Sequence, residues 1–203
     1  MSELDLTLRL AQVVRCTEAE GPGRRFALWF QGCPLRCPGC CNPEMLPFEG
    51  GRAVRLADVL RQVEEAAAAQ GVEGITLLGG EPLAHAAGAT ALARAVRGLG
   101  LTVMVFSGYT LAEARRLPDP AVAELLASTD ILVDGPYLRE QPETRRRWIG
   151  SANQQIHFLS DRYRADDPCW RLPNTLEIRL ADGELSVNGF PARRALGLWR
   201  RPC

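Results

Sequence analysis

Apolar and polar residues alternate through Leu6-Thr7-Leu8-Arg9-Leu10, and the pattern runs on to Val14, which predicts a β-strand over 6–14. A turn at Glu20-Gly21-Pro22-Gly23 follows. Arg25-Phe26-Ala27-Leu28-Trp29-Phe30 then reads as a short, mostly apolar strand that ends at a cysteine-rich loop. From Leu56 the period changes. Leu56, Val59, Leu60, Val63, Ala66 and Ala67 recur at helical spacing and predict an amphipathic helix over 56–70, ended by Gly71. Ile75-Thr76-Leu77-Leu78 is the next strand, Leu92, Val96 and Leu99 mark a second helix, and 101–106 (L-T-V-M-V-F) forms a further strand. Helical stretches interrupted at Pro118 and Pro120 reach Leu126, Ile131-Leu132-Val133 is strand-like, and 155–159 supplies one more strand.

Strand and helix therefore alternate, which predicts an α/β fold with a parallel sheet and helices on its outside. The cysteines, Gly79-Gly80-Glu81-Pro82, Ser107-Gly108-Tyr109 and Asp134-Gly135-Pro136 all follow strand C-termini, the edge where such sheets gather ligands. A closed eight-unit barrel takes about 250 residues. A chain of 203 residues predicts instead an open, partial (β/α)5–6 barrel. Beyond residue 160 the character shifts, and 176–187 reads as a β-hairpin turning at Asp182-Gly183. The expected organisation is a core over 1–160 with a C-terminal extension over 161–203 packed on the same domain.

Composition narrows the function. Hydrophobic residues make up 46% and charged residues 24%, as in ordinary soluble domains. Twenty-four basic and twenty-four acidic residues cancel, so neither a nucleic acid nor a membrane is an expected partner. The run Arg145-Arg146-Arg147 reads as a solvated loop. Every basic residue is arginine; no lysine is present, which removes Walker-type phosphate binding and Schiff-base chemistry. The N-terminus lacks the pattern of a signal peptide, and no apolar run approaches the roughly 20 residues of a membrane span. A cytoplasmic, reducing setting is the expectation, where clustered cysteines hold metal more often than they cross-link. An odd total of seven cysteines agrees.

Four of those seven lie in the loop Gly32–Glu44, G-C-P-L-R-C-P-G-C-C-N-P-E. Cys33, Cys37 and Cys40 form C-x3-C-x2-C. Structural zinc uses four ligands, commonly in two separated pairs, and only Cys37 and Cys40 make such a pair. A fully ligated cubane also asks for four thiolates. Three thiolates leave one metal position open for chemistry, with Cys41 as a minority candidate for the fourth ligand.

This spacing resembles the signature of radical S-adenosylmethionine (SAM) enzymes. The resemblance implies that Cys33, Cys37 and Cys40 hold one 4Fe–4S cluster and that SAM chelates the fourth iron through its amino and carboxylate groups. One electron then cleaves the sulfonium, and the 5′-deoxyadenosyl radical abstracts a hydrogen atom. Gly79-Gly80-Glu81-Pro82 resembles the family element that receives the SAM amino group. Glycine permits close backbone approach, and a carboxylate can accept from an ammonium.

Within that superfamily the chain resembles the activating enzymes of anaerobic ribonucleotide reductase. The matching blocks are Glu20–Arg25, Cys37-Pro38-Gly39-Cys40, Phe106–Thr110, Leu132–Gly135 and Gly150–Gln154. The resemblance implies a glycyl-radical enzyme as partner and a flavodoxin- or ferredoxin-type electron donor. It also puts Ser107, Asp134 and Asn153 beside SAM. Cys41 stands where these enzymes commonly carry an aromatic residue. Two alternatives remain open: a stand-alone radical SAM enzyme acting on a peptide or small molecule, with the hairpin as recognition element, and a non-catalytic metal-binding module. His157 reads as a core or edge histidine satisfied by backbone, His85 as a surface residue, Cys16, Cys169 and Cys203 as free thiols, and Trp29 with Phe30 as core beside the cluster. Trp148, Trp170 and Trp199 carry no functional spacing.

Overall fold

The computed structural model describes residues 3–181 and 183–190; Asp182, Trp199 and Cys203 lie outside the described residues. One seven-stranded sheet is built from β1 (Thr7–Thr17), β2 (Arg25–Phe30), β3 (Arg52–Arg55), β4 (Gly74–Gly79), β5 (Thr102–Phe106), β6 (Ile131–Asp134) and β7 (Gln155–Phe158). Its strand order is β3-β1-β2-β4-β5-β6-β7. The central strands β2, β4, β5 and β6 run parallel.

Helices α1 (Leu56–Gln70), α2 (Ala86–Gly98), α3 (Leu111–Ala114) and α4 (Pro120–Ala127) form the crossovers. The apolar spacing read from the sequence is what buries α1, through Leu56, Val59, Val63 and Ala66. Gly71 closes that helix in the left-handed conformation at φ 67°, donating its N–H to the last carbonyls. Thr110 and Glu113 start α3 with a reciprocal capping box, and Asp119 caps α4 with Pro120 at its first position. The helices pack on one face of the sheet, against Phe26, Leu28, Phe30, Ile75, Leu77, Val103 and Val105. Leu28 and Leu77 are fully enclosed, and truncating such a leucine to alanine costs about 2–5 kcal/mol.

The other face carries Ala27, Trp29, Leu78, Met104, Ile131 and Val133, and among the described residues no α-helix packs on it. Trp148 and Ile149 cover part of it, joined by Tyr163, Trp170 and Phe190 from the C-terminal residues. Phe190 stacks on Phe106 with ring centroids 6.0 Å apart.

Three readings change. Among the described residues four strands are parallel, fewer than five or six β/α units supply. β1 reaches β2 through residues 18–24, too short for a crossover, and pairs antiparallel; β7 pairs antiparallel to β6. The short edge strand β3, R-A-V-R, has too few apolar positions to announce itself. The arginine run is not simply solvated. Arg146 pairs with Glu143 at 2.5 Å and donates to the carbonyls of Ala152 and Gln154, while Arg147 is buried over the Trp148 ring.

β8 (Leu176–Ala181) and β9 (Glu184–Gly189) pair antiparallel in a separate sheet. Its polar side chains face the body. Arg179 donates to the Cys16 carbonyl, Glu177 accepts from the Glu18 amide, and Asn188 donates to the Thr17 hydroxyl. Ile178, Leu180 and Leu185 are left exposed.

Candidate cluster and nucleotide site

The cysteine loop begins where β2 ends, and its two stems are tied together. Gly32 N–H donates to the Met45 carbonyl (2.9 Å) and Cys33 N–H to that of Leu46 (3.0 Å). The Gln31 amide reaches across to the carbonyls of Glu44 (3.1 Å) and Pro47 (2.7 Å). Two left-handed residues, Arg36 at φ 47° and Gly39 at φ 72°, turn the chain tightly enough to set three thiols on one short loop. Cys33 is buried, and its sulfur receives the backbone N–H groups of Leu35 and Arg36. Burial pushes its thiol pKa up, against those bonds. The Cys41 thiol donates to Cys40 and draws the Cys40 pKa down to about 6; the Asn42 N–H also points at that sulfur, at 3.4 Å. Among the described residues no three His, Cys, Asp or Glu side chains converge on the position of a single metal ion. A cubane makes a different demand, one thiolate to each of three irons.

Two glycines bring Gly79-Gly80-Glu81-Pro82 against this loop. Gly80 N–H donates to the Phe30 carbonyl (2.8 Å) and Glu81 N–H to that of Gly32 (3.0 Å). A Cβ at position 80 would lie 2.3 Å from the Gly32 oxygen, so only glycine permits this approach. Glu81 is 1% exposed, and its carboxylate is held from within. Oε1 accepts from Leu83 N–H (2.9 Å) and Ser107 Oγ (3.0 Å), and Oε2 from Gly108 N–H (2.8 Å). Burial pushes its pKa up to about 7, and the three donors oppose that rise.

Ser107 thus faces Glu81, and its hydroxyl also accepts from Tyr109 N–H (3.1 Å). Leu35 of the cysteine loop sits in the notch over Gly108, where an added Cβ would meet its methyl at 2.5 Å. Asp134, buried at the end of β6, accepts from Leu111 N–H (2.6 Å), with His157 Nε2 2.9 Å away but not aligned for a hydrogen bond. Asn153 donates to the Pro136 carbonyl (2.8 Å), and its buried Oδ1 has no partner. The ends of β2, β4, β5 and β6 therefore present the thiols, the glycine-glutamate turn, Ser107 and Asp134 along one edge.

Sequence reasoning gave no role to Gln31, Leu35 and Tyr137, and singled out Tyr109 only as part of the strand-end segment Ser107-Gly108-Tyr109. Tyr109 feels the charges of Glu81 and Cys33, and Tyr137 those of Cys41 and Cys40, after burial as the larger influence on each. Both lie within or beside quoted blocks, a signal that was available. His85 is not a surface residue. It stacks on Phe30 (5.2 Å, 21°), lies 6.0 Å from the Phe48 ring, and keeps a buried, unpartnered Nε2. His157 is held beside a carboxylate rather than by backbone. Cys16 and Cys169 lie away from the loop: Cys16 is near Arg24 and Arg179, and Cys169 lies on the short turn Pro168–Arg171.

Residues 19–157 match the family described as a 4Fe–4S single cluster domain. The chain belongs to that family and, with it, to the radical SAM enzymes, whose cofactors are a 4Fe–4S cluster and SAM. Its relatives narrow this further. An anaerobic ribonucleoside-triphosphate reductase-activating protein from Vibrio cholerae is 32% identical over 145 residues, covering 68% of this chain and 89% of that protein. The protein of the same name from Escherichia coli K12 is 28% identical over 147 residues, covering 68% and 91%. A glycyl-radical enzyme activating enzyme of Haemophilus influenzae is 35% identical over 100 residues, 48% of this chain and 37% of that longer protein. Among solved structures, QueE from Escherichia coli shows a partial likeness, with a TM-score of 0.39 at 19% identity over 51% of this chain and 53% of its own.

The residues present fit these cofactors. Cys33, Cys37 and Cys40 are free thiols on one loop, glycines at 79 and 80 keep a backbone approach clear of side chains, and Asn153 offers an orphaned buried oxygen at the same edge.

Proposed function

We propose that this chain activates a glycyl-radical enzyme of the anaerobic ribonucleotide reductase kind. The observation that carries the reading is the seating of the cysteine loop on two strand ends at once. Gly80 and Glu81 bond to Phe30 and Gly32, and Leu35 rests on Gly108. When bound, the cluster and SAM would supply one-electron reductive cleavage and hydrogen-atom abstraction from the partner.

The chain's own residues prepare that chemistry. Cys33, Cys37 and Cys40 would hold the cluster, and the amides of Leu35 and Arg36 stabilise charge on the Cys33 sulfur. Gly79 to Pro82 would receive the SAM amino group. With the Glu81 side chain committed to Leu83, Ser107 and Gly108, backbone carbonyls are the acceptors left for an ammonium. Ser107 positions Glu81, and Asp134 and Asn153 would meet the nucleoside. Trp29, Met45 and Leu78 keep water from the underside of the loop.

We read the sheet as an open partial barrel whose uncovered side admits a protein loop. Residues 1–160 form the radical SAM core and 161–203 an extension, of which the described residues up to 190 pack on it. A flavodoxin- or ferredoxin-type donor delivers the electron in the cytoplasm; among the described residues no helix is long and apolar enough to cross a membrane. Modification of a peptide is the second reading. It is favoured by a hairpin that lies outside the matched 19–157 and exposes Ile178, Leu180 and Leu185.

Electron paramagnetic resonance tests the proposal. The reconstituted chain, reductant and SAM, mixed with an anaerobic ribonucleotide reductase from the same genome, should generate a glycyl-radical signal. SAM cleavage without that signal would favour the peptide reading. About one zinc and no iron per chain would instead mark a non-catalytic module.

A further inference from the structure

At the opposite end of the parallel strands lies a cavity of about 400 Å³, within the roughly 300–1,000 Å³ typical of small-molecule pockets. It opens between the glycine turn at 21–23, Glu73 at the foot of β4, and Arg147, Cys169 and Leu172. The β2 strand separates it from the cysteine loop by about 17–20 Å. Cys169 and Leu172 lie outside the matched 19–157, so this cavity is formed only where the C-terminal extension crosses the family core.

Its charges are unequally matched. Arg24 and the two carboxylates are already engaged. Glu73 accepts from Arg24 N–H at 3.0 Å, Glu18 lies 3.6 Å from Arg24 Nε, and Arg24 Nη1 donates to the Gln70 carbonyl at 3.0 Å. Arg147 is different. It is only 9% exposed, its guanidinium carbon lies 4.0 Å over the Trp148 ring, and Nη1 donates to the Cys169 carbonyl at 3.2 Å. Its Nε is buried without a partner, and among the described residues it makes no ion pair. Burial pushes its pKa down, and the negative charges of Cys169 and Glu18 only partly oppose that fall. A buried arginine with no ion pair at contact distance walls a cavity of ligand size; Glu18, on the same wall, acts on it only from a distance and is itself drawn to Arg24.

We infer that this cavity binds a small oxyanion, a carboxylate or phosphate group, with Arg147 as its counter-charge and the turn at Gly21 to Gly23 as its floor. The planar guanidinium suits either oxyanion. The site is separate from the SAM edge, so its occupant is an effector or structural ligand and takes no part in the cluster chemistry.

Calorimetric titration of the reconstituted full-length chain with inorganic phosphate, and separately with malonate, tests this. Saturable binding at one site is expected, and the tighter probe identifies the anion class. Arg147→Gln should weaken it about tenfold or more, roughly 1.4 kcal/mol. Leu172→Trp, which fills the cavity and leaves its charges unchanged, should do the same, with iron content and circular dichroism retained in both. If Arg147→Gln does not fold, Leu172→Trp decides alone. Absence of saturable binding by either anion, or binding unchanged in these variants, would overturn the inference.

Discussion

Ser107 Oγ donates to Glu81 Oε1 at 3.0 Å and joins the ends of β5 and β4 beneath the cysteine loop. The contact spans 26 residues of sequence. It turns a carboxylate that could meet an ammonium directly into an internal tie between two strand ends.

Removing that tie gives the first prediction. Ser107→Ala strips one donor from a buried carboxylate, which costs about 1–3 kcal/mol. Urea unfolding should show the loss. The Michaelis constant for SAM should rise more than kcat falls, because Ser107 acts through the turn.

Glu81 also sets a pH dependence. Its pKa rises from 4.5 unfolded to about 7 folded, through burial. Between those values the native state holds a proton that the unfolded state has released, so stability falls as pH rises from 4.5 to about 7 and then levels. Glu20, buried near Asn188 and also raised to about 7, acts in the same direction. The span amounts to roughly 3 kcal/mol for one such group. Urea midpoints of the metal-free chain across this window should drop, and Glu81→Gln should flatten part of the slope. An unchanged slope would contradict the burial argument.

Two glycines should behave oppositely. Gly80→Ala drives a Cβ into the Gly32 carbonyl and should cost about 1–3 kcal/mol along with SAM binding. Gly98→Ala at the end of α2 meets nothing within 4 Å and should be neutral or stabilising by up to about 1 kcal/mol. Thermal unfolding of both variants separates close approach from mere flexibility.

The cysteines divide in the same way. Cys16→Ala, Cys41→Ala and Cys169→Ala should each retain about four irons per chain after reconstitution. Loss of iron in Cys41→Ala would make that residue a ligand and refute the three-thiolate assignment.

Much of this was legible because it is local. C-x3-C-x2-C lies within one loop, and α1 declares itself through Leu56, Val59 and Val63 at helical spacing. What stayed hidden depends on pairing across the sheet. Nothing local in Ser107 or Glu81 tells that each is the other's partner. Arg25 looks like a solvated strand start, yet it is fully buried among Thr76, Thr102, the Ile75 carbonyl and Tyr163. Tyr163 comes from the extension, 138 residues away. The direction of β7 was hidden for the same reason. Alternation marks a strand, and only the connection and its neighbour decide which way it runs.

The most direct test is the yield of 5′-deoxyadenosine. After anaerobic loading with iron and sulfide, the parent chain given SAM and a strong reductant should produce it, and Cys37→Ala should produce none. A parent chain that takes up iron yet leaves SAM intact, or a Cys37→Ala variant that still cleaves it, would contradict the account.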